Sequence, residues 1–153
     1  MKILISVDGS ESSDVAVEEV AKRSWPADSV VRIISVAETL ALEALSLPPR
    51  YREEIERSAR HRAETIVERA IARLRDSDAR ILPISSTVLM DSPKDAIVEE
   101  AERWGADLIV VGSHGYRRPE RALLGSVSQS VATQAKCSVE IARRRHVDYD
   151  EEC

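Results

Sequence analysis

Three of the chain's five glycines fall in the segment Gly112-Ser113-His114-Gly115 and onward to Gly125-Ser126-Val127-Ser128, which follows the apolar run Leu108-Ile109-Val110-Val111. Residues of these types at this spacing suit the holding of an anion. Glycine lets backbone approach a ligand without a Cβ, and amides at a helix start point a positive dipole at a negative group. The hydroxyls of Ser126 and Ser128 are further donors to a phosphate. Glycines also end strands for purely conformational reasons, so by itself the loop from Gly112 to Ser126 fits either a phosphate cradle or a plain turn. His114 has the chemistry of a general base, but no acid pair accompanies it, and a loop histidine equally serves as a positioning residue. Arg117, Arg118 and Arg121 carry guanidinium groups suited to clamping phosphates. Their crowding around Pro119 equally suits a solvated loop tip.

These residues need elements to position them. Lys2 to Val7 is a short β-branched apolar run without alternation, the pattern of a strand buried on both faces. Asp8-Gly9-Ser10 ends it, and Ser10 to about Ser24 predicts a helix with Ser10 or Ser12 as N-cap. Val30 to Ala37 is a second strand after the turn at Trp25-Pro26-Ala27-Asp28. From Glu38 to Arg50 the pattern is irregular, and Pro48-Pro49 is expected to end any helix begun there.

Tyr51 to Arg75 predicts a long helix with an apolar stripe at Ile55, Ala59, Ala63, Ile66, Val67, Ala70 and Leu74. Glu53 with Arg57 and Glu56 with Arg60 read as i,i+4 pairs on its solvated face. Ile81 to Leu89 is a third strand. Ser92 as N-cap, Pro93 at N1 and Gly105 beyond Trp104 bound the next helix. Asp107 to Val111 is a fourth strand, Ser126 to Ala135 a last helix, and Ser138 to Ala142 a fifth strand. Strands alternating with helices at these lengths predict right-handed βαβ units and a parallel sheet covered on both faces. In such sheets the ligand crevice lies beyond the carboxyl ends of the strands, where the strand order reverses. Asp8 and the residues from Gly112 onward stand at two such ends.

At 153 residues with 43% apolar and 32% charged residues, the chain suits a single compact domain with a heavily solvated exterior. A net charge of −5 without a long basic face argues against general nucleic-acid binding. Cys137 and Cys153 are too few for a disulfide scaffold and lack zinc-ligand spacing, which predicts free thiols in a reducing cytosol. Cys137 is expected to be buried rather than reactive, and Trp25 and Trp104, each near a helix end, to pack rather than stack on a ligand. The opening apolar run is too short for a signal or membrane span, so a cytoplasmic protein without membrane contact is expected. Arg143-Arg144-Arg145-His146, followed by Asp148, Asp150, Glu151 and Glu152, reads as a charged terminus.

The spacing Gly112-x2-Gly115-x9-Gly125-Ser126 resembles the nucleotide-binding signature of the universal stress protein family, in its ATP-binding form. Ile3 to Ser13 is similar to that family's first strand and turn, and Gly105 to Gly115 and Leu123 to Ser128 are similar to its most recognisable blocks. The resemblance covers residues 3–142. It implies one domain over residues 1–143 with a charged tail at 144–153. The implied fold is a Rossmann-like five-stranded parallel sheet in the order 3-2-1-4-5, with strands one and four adjacent at the switch point.

Carried onto this chain, the resemblance implies that Asp8 and the backbone of Val36 meet adenine, and that Ser6 belongs to the same binding set. Val111 and Gly112 lie along the nucleotide, with Ser113 and His114 beside it. Gly115, Gly125, Ser126, Val127 and Ser128 cradle the phosphates mainly through N–H groups. A magnesium or manganese ion bound through the phosphates fits the triphosphate. The family also implies a homodimer through the last strand, Val139 to Ala142. Many relatives have proline at position 138 and an apolar residue at 140. Glu140 here puts a charge on that edge unless a partner such as Arg143 or Arg144 across the axis offsets it.

The expected function is an ATP-binding stress or regulatory protein without strong catalysis. One alternative is a slow ATP hydrolase or nucleotidyl-transfer enzyme, against which stands the absence of a Gly-Lys-Ser/Thr loop or a His-x-Gly-His box. Another is a nucleotide-free dimerisation module.

Overall fold

A computed structural model describes residues 1–38, 46–77, 82–115 and 124–144. The expected connection over most of 38–50, the arginines at 117, 118 and 121, Ile81 and the tail from 145 lie outside the described residues. The elements are β1 (Lys2–Ser6), α1 (Glu11–Lys22), β2 (Val30–Ala37), α2 (Pro49–Arg75), β3 (Ile84–Met90), α3 (Pro93–Trp104), β4 (Leu108–Gly112), α4 (Ser126–Gln134) and β5 (Ser138–Ala142).

The strands form one parallel sheet in the order β3-β2-β1-β4-β5. Because successive side chains alternate across the sheet, its apolar residues divide between two cores. Ile3, Ile5, Val31, Ile33 and Val110 meet Val17 and Val20 of α1 and Val67, Ala70 and Leu74 of α2. Leu4, Ile34, Ile109 and Val111 meet Ile97 and Val98 of α3 and Val131 of α4. Helices thus cover both faces, and Ile3-Leu4-Ile5 of β1 and Leu108-Ile109-Val110-Val111 of β4 read as unbroken apolar runs because neither face is wet.

The starts of α2 and β3 differ from the sequence reading, whereas α3 begins and ends where expected. Pro48 and Pro49 open α2, ahead of the expected start at Tyr51: Pro49 takes the first helical position, where a missing N–H costs nothing, and the Pro48 carbonyl accepts from Tyr51 at 3.0 Å. β3 begins at Ile84 because Pro83 has no N–H for the ladder, although its carbonyl still accepts from Val31 at 2.9 Å. Ser92 takes the N-cap position of α3 without a side-chain cap bond, while its own amide donates to Asp91 Oδ1 at 2.6 Å. Gly105 ends α3 in the left-handed conformation, at φ 74°.

Charged groups tie the layers. Glu100 on α3 is buried and receives Arg32 of β2 at 2.8 Å as well as Arg103. Lys2 and Arg32 both lie over the Trp104 ring, 5.5 and 4.7 Å from its centre. Trp25 donates its indole N–H to the Val20 carbonyl at 2.9 Å, so both tryptophans pack as expected. Glu140 of β5 finds its partner within the same chain. Arg23, at the C-cap of α1, donates to its two oxygens at 2.6 and 2.5 Å. That hydrogen-bonded pairing raises the Arg23 pKa further above its already high value.

Candidate functional site

The chain leaves β1 through Val7-Asp8-Gly9 and enters α1 by a local hydrogen-bond exchange. Ser13 N–H donates to the Ser10 side chain at 3.2 Å, Ser13 Oγ donates to the Ser10 carbonyl at 3.0 Å, and Ser10 N–H donates to Asp8 Oδ1 at 2.9 Å. This is N-capping chemistry, and it also fixes Asp8. With Oδ1 occupied, Oδ2 is turned toward Gly115, where a Cβ would stand only 3.2 Å away.

Gly112 ends β4 beneath the first turn of α1. A Cβ there would meet the backbone of Ser12 and Ser13 at 2.5 to 2.7 Å, so glycine is required at Gly112 by the packing of α1 on β4. The following residues are cross-tied. Gly125 N–H donates to the Ser113 carbonyl at 2.7 Å, and Ser128 Oγ lies 3.1 Å from the same carbonyl and 3.0 Å from that of Gly125. Ser10 Oγ donates to the His114 carbonyl at 3.3 Å, and Ser113 Oγ shares a hydrogen bond of 2.9 Å with His114 Nδ1. The buried hydroxyl of Ser128 and the amide of Gly125 are therefore engaged in holding the loop.

That leaves the first turn of α4. Gly125 is its N-cap and has no side chain with which to cap it. The amides of Ser126, Val127 and Ser128 have no acceptor inside the helix, and all three residues border an open cleft of about 470 Å³. Across its floor lie Val36, Ile97 and Val111, and around it Ser6, Asp8, Gly112, His114, Gly115 and Gly125. The cleft sits beyond the carboxyl ends of β1, β2 and β4, at the point where the strand order reverses. Of the twelve residues singled out in the sequence, eleven border it. Ser113 is buried just behind, shaping the loop through its carbonyl.

Sequence reasoning missed Val7, Ser13, Glu38, Ser92, Pro93, Lys94 and Ile97, which also border the cleft. Glu38 and Lys94 had a usable signal: each follows the end of a strand, where such folds place ligands. Among the described residues no group of three or more His, Cys, Asp or Glu could hold a metal ion, and no helix is long and apolar enough to cross a membrane.

The fold and this crevice define a doubly wound α/β protein with a switch-point cleft floored by apolar side chains and lined on one side by helix amides. The sequence profile of the universal stress protein family matches residues 1–143, and the chain belongs to that family. A universal stress protein of Staphylococcus aureus (strain USA300) is 29% identical over 154 residues, covering 97% of this chain and 87% of its own. The structure of the hypothetical protein MJ0577 superposes with a TM-score of 0.81 at 25% identity, covering 95% and 96% of the two chains. A universal stress protein in complex with cAMP superposes with a TM-score of 0.69 at 25% identity, covering 95% of this chain and 98% of its own.

Proposed function

We propose that this chain binds an adenine nucleotide, ATP foremost, in the switch-point cleft and acts as a nucleotide-dependent regulatory protein rather than a strong catalyst. The carrying observation is the uncapped first turn of α4. That turn borders a cleft whose floor is apolar, and three of its amides have no acceptor inside the helix, an arrangement suited to phosphates at one end and a flat base beside it. The relative in complex with cAMP supports a ligand of this class.

In this reading Ser126, Val127 and Ser128 bind phosphate through backbone N–H groups. Gly115 leaves the approach open, Gly112, Ser113, His114 and Gly125 hold the loop's shape, and Ser6, Asp8, Val36 and Val111 line the nucleotide. A magnesium or manganese ion accompanying the triphosphate is held chiefly by the phosphate oxygens. His114, with Nδ1 already bonded to Ser113, positions the loop.

Thermal denaturation with and without ATP and magnesium tests the reading. Ligand at about 100 times its dissociation constant adds about 2.7 kcal/mol, raising the midpoint by roughly 5 to 10 °C in a domain of this size. No shift with any adenine nucleotide overturns it. Robust phosphate release that vanishes in His114→Ala would instead favour the hydrolase. Partnering is proposed through the open edge of β5, Val139 to Ala142, as a homodimer. The neutralisation of Glu140 by Arg23 supports this by removing an unpaired charge from that edge.

A further inference from the structure

The cleft has two chemically different ends. One is the amide end, built from the loop after β4 and the start of α4. The other is built where β2 and β3 leave the sheet side by side. Met90 is the register partner of Ala37, and the Asp91 amide donates to the Ala37 carbonyl at 3.1 Å. The next residue of the β2 side is Glu38, and the β3 side continues through Ser92 and Pro93 to Lys94 on the first turn of α3. β1 lies between β2 and β4, so the two ends are separated by two strand spacings, about 10 Å. Glu38 and Lys94 both border the cleft, both are exposed, and neither side chain has a hydrogen-bond or ion-pair partner among the described residues.

A carboxylate only accepts hydrogen bonds and an ammonium only donates them. Val36 and Ile97 supply the apolar surface on which a flat ring would lie between these groups and the amide end. Adenine presents, side by side, an acceptor at N7 and a donor at its N6 amino group. Guanine presents acceptors at both N7 and O6. A donor and an acceptor together match the first edge. Against the second, the carboxylate faces O6 with no proton between them, leaving a charged acceptor desolvated and unpaired.

We propose that Glu38 and Lys94 are the specificity-determining residues for the base, which enters with this edge toward them, Glu38 accepting from the N6 amino group and Lys94 donating to N7, so that the cleft selects adenine over guanine. This rests on the nucleotide reading above and extends it to side chains outside the glycine loop.

Titration calorimetry of the full chain with ATP, GTP and adenosine, on the wild type, Glu38→Gln and Lys94→Met, tests it. The wild type is expected to prefer ATP over GTP by roughly tenfold or more. Glu38→Gln, whose amide can turn an N–H toward O6, should shrink that ratio about tenfold, chiefly by improving GTP. Lys94→Met should weaken ATP and adenosine by the same factor. Equal melting midpoints of the three free proteins would show that the fold is unaltered. An unchanged ATP-to-GTP ratio in Glu38→Gln overturns the proposal. So does a Lys94→Met loss seen with ATP and absent with adenosine, which would make Lys94 a phosphate contact. A wild type that binds neither nucleotide is a separate result, removing the nucleotide reading itself and this proposal with it.

Discussion

Gly112 and Gly115 serve different ends within one loop. A methyl group at Gly112 would run into the backbone of Ser12 and Ser13, which can yield only by lifting α1 off β4. Gly112→Ala should therefore cost about 1–3 kcal/mol of folding stability, read as a lower urea midpoint whether or not nucleotide is present. At Gly115 the nearest atom is the carboxylate oxygen of Asp8 that Ser10 leaves unbonded, which needs to give only slightly. Gly115→Val should fold with a nearly unchanged midpoint and lose the ATP-induced shift; retention of that shift would remove Gly115 from the site. Cys137 is a third case. Half-buried before β5, its thiol is pushed up by desolvation. The sign follows directly: the neutral thiol is favoured in the fold, and its contribution to stability is lost only as pH rises through the raised pKa. In a Cys153→Ser background, iodoacetamide should modify Cys137 more slowly than it modifies the unfolded chain, with the rate rising at higher pH than for an ordinary thiol.

At the scale of elements, α4 is where local structure and ligand chemistry meet. Its N-cap, Gly125, is extended at φ −71° and ψ 159°, the conformation that precedes proline most comfortably. Ser126 is the first helical residue, a position at which proline is well tolerated. Ser126→Pro thus deletes one of the proposed phosphate-binding N–H groups while leaving the helix intact. A lost hydrogen bond to a charged phosphate is worth about 1.5–3 kcal/mol, so affinity for ATP should fall tenfold or more, measured by calorimetry, with an unchanged melting midpoint for the free protein. If affinity were unchanged, the α4 amides would not be the phosphate donors.

The strand and helix assignments were largely legible because apolar runs and capping residues are local signals. The exceptions were local too. Pro48-Pro49 is compatible with stopping one helix or starting the next, and only the packing of Val67, Ala70 and Leu74 in the core beneath α2 shows that the chain needed the helix that begins there.

For the whole molecule, the proposed dimer turns on the open edge of β5. Glu140 alone in the sequence looks like a charge guarding that edge, whereas in the fold its carboxylate is bound by Arg23 from the end of α1. Sedimentation equilibrium is expected to give twice the chain mass, and Arg23→Ala, which releases the Glu140 charge, should shift the protein toward monomer. A monomer at every accessible concentration would remove the dimer. What the sequence by itself determined was the alternation of strands and helices, the parallel sheet they require and the glycine loop, because these rest on periodicity, capping and conformational freedom within a few residues. Only the tertiary structure decided what each group is free to do. Gly125 N–H and Ser128 Oγ are engaged with the carbonyl of Ser113, while Ser126, Val127 and Ser128 border the cleft with first-turn amides that have no acceptor inside the helix. Glu38 and Lys94, distant in sequence, reach that same cleft because β2 and β3 end side by side. A hydrogen-bonding group's availability depends on every neighbour it meets in space, and most of those neighbours come from elsewhere in the chain.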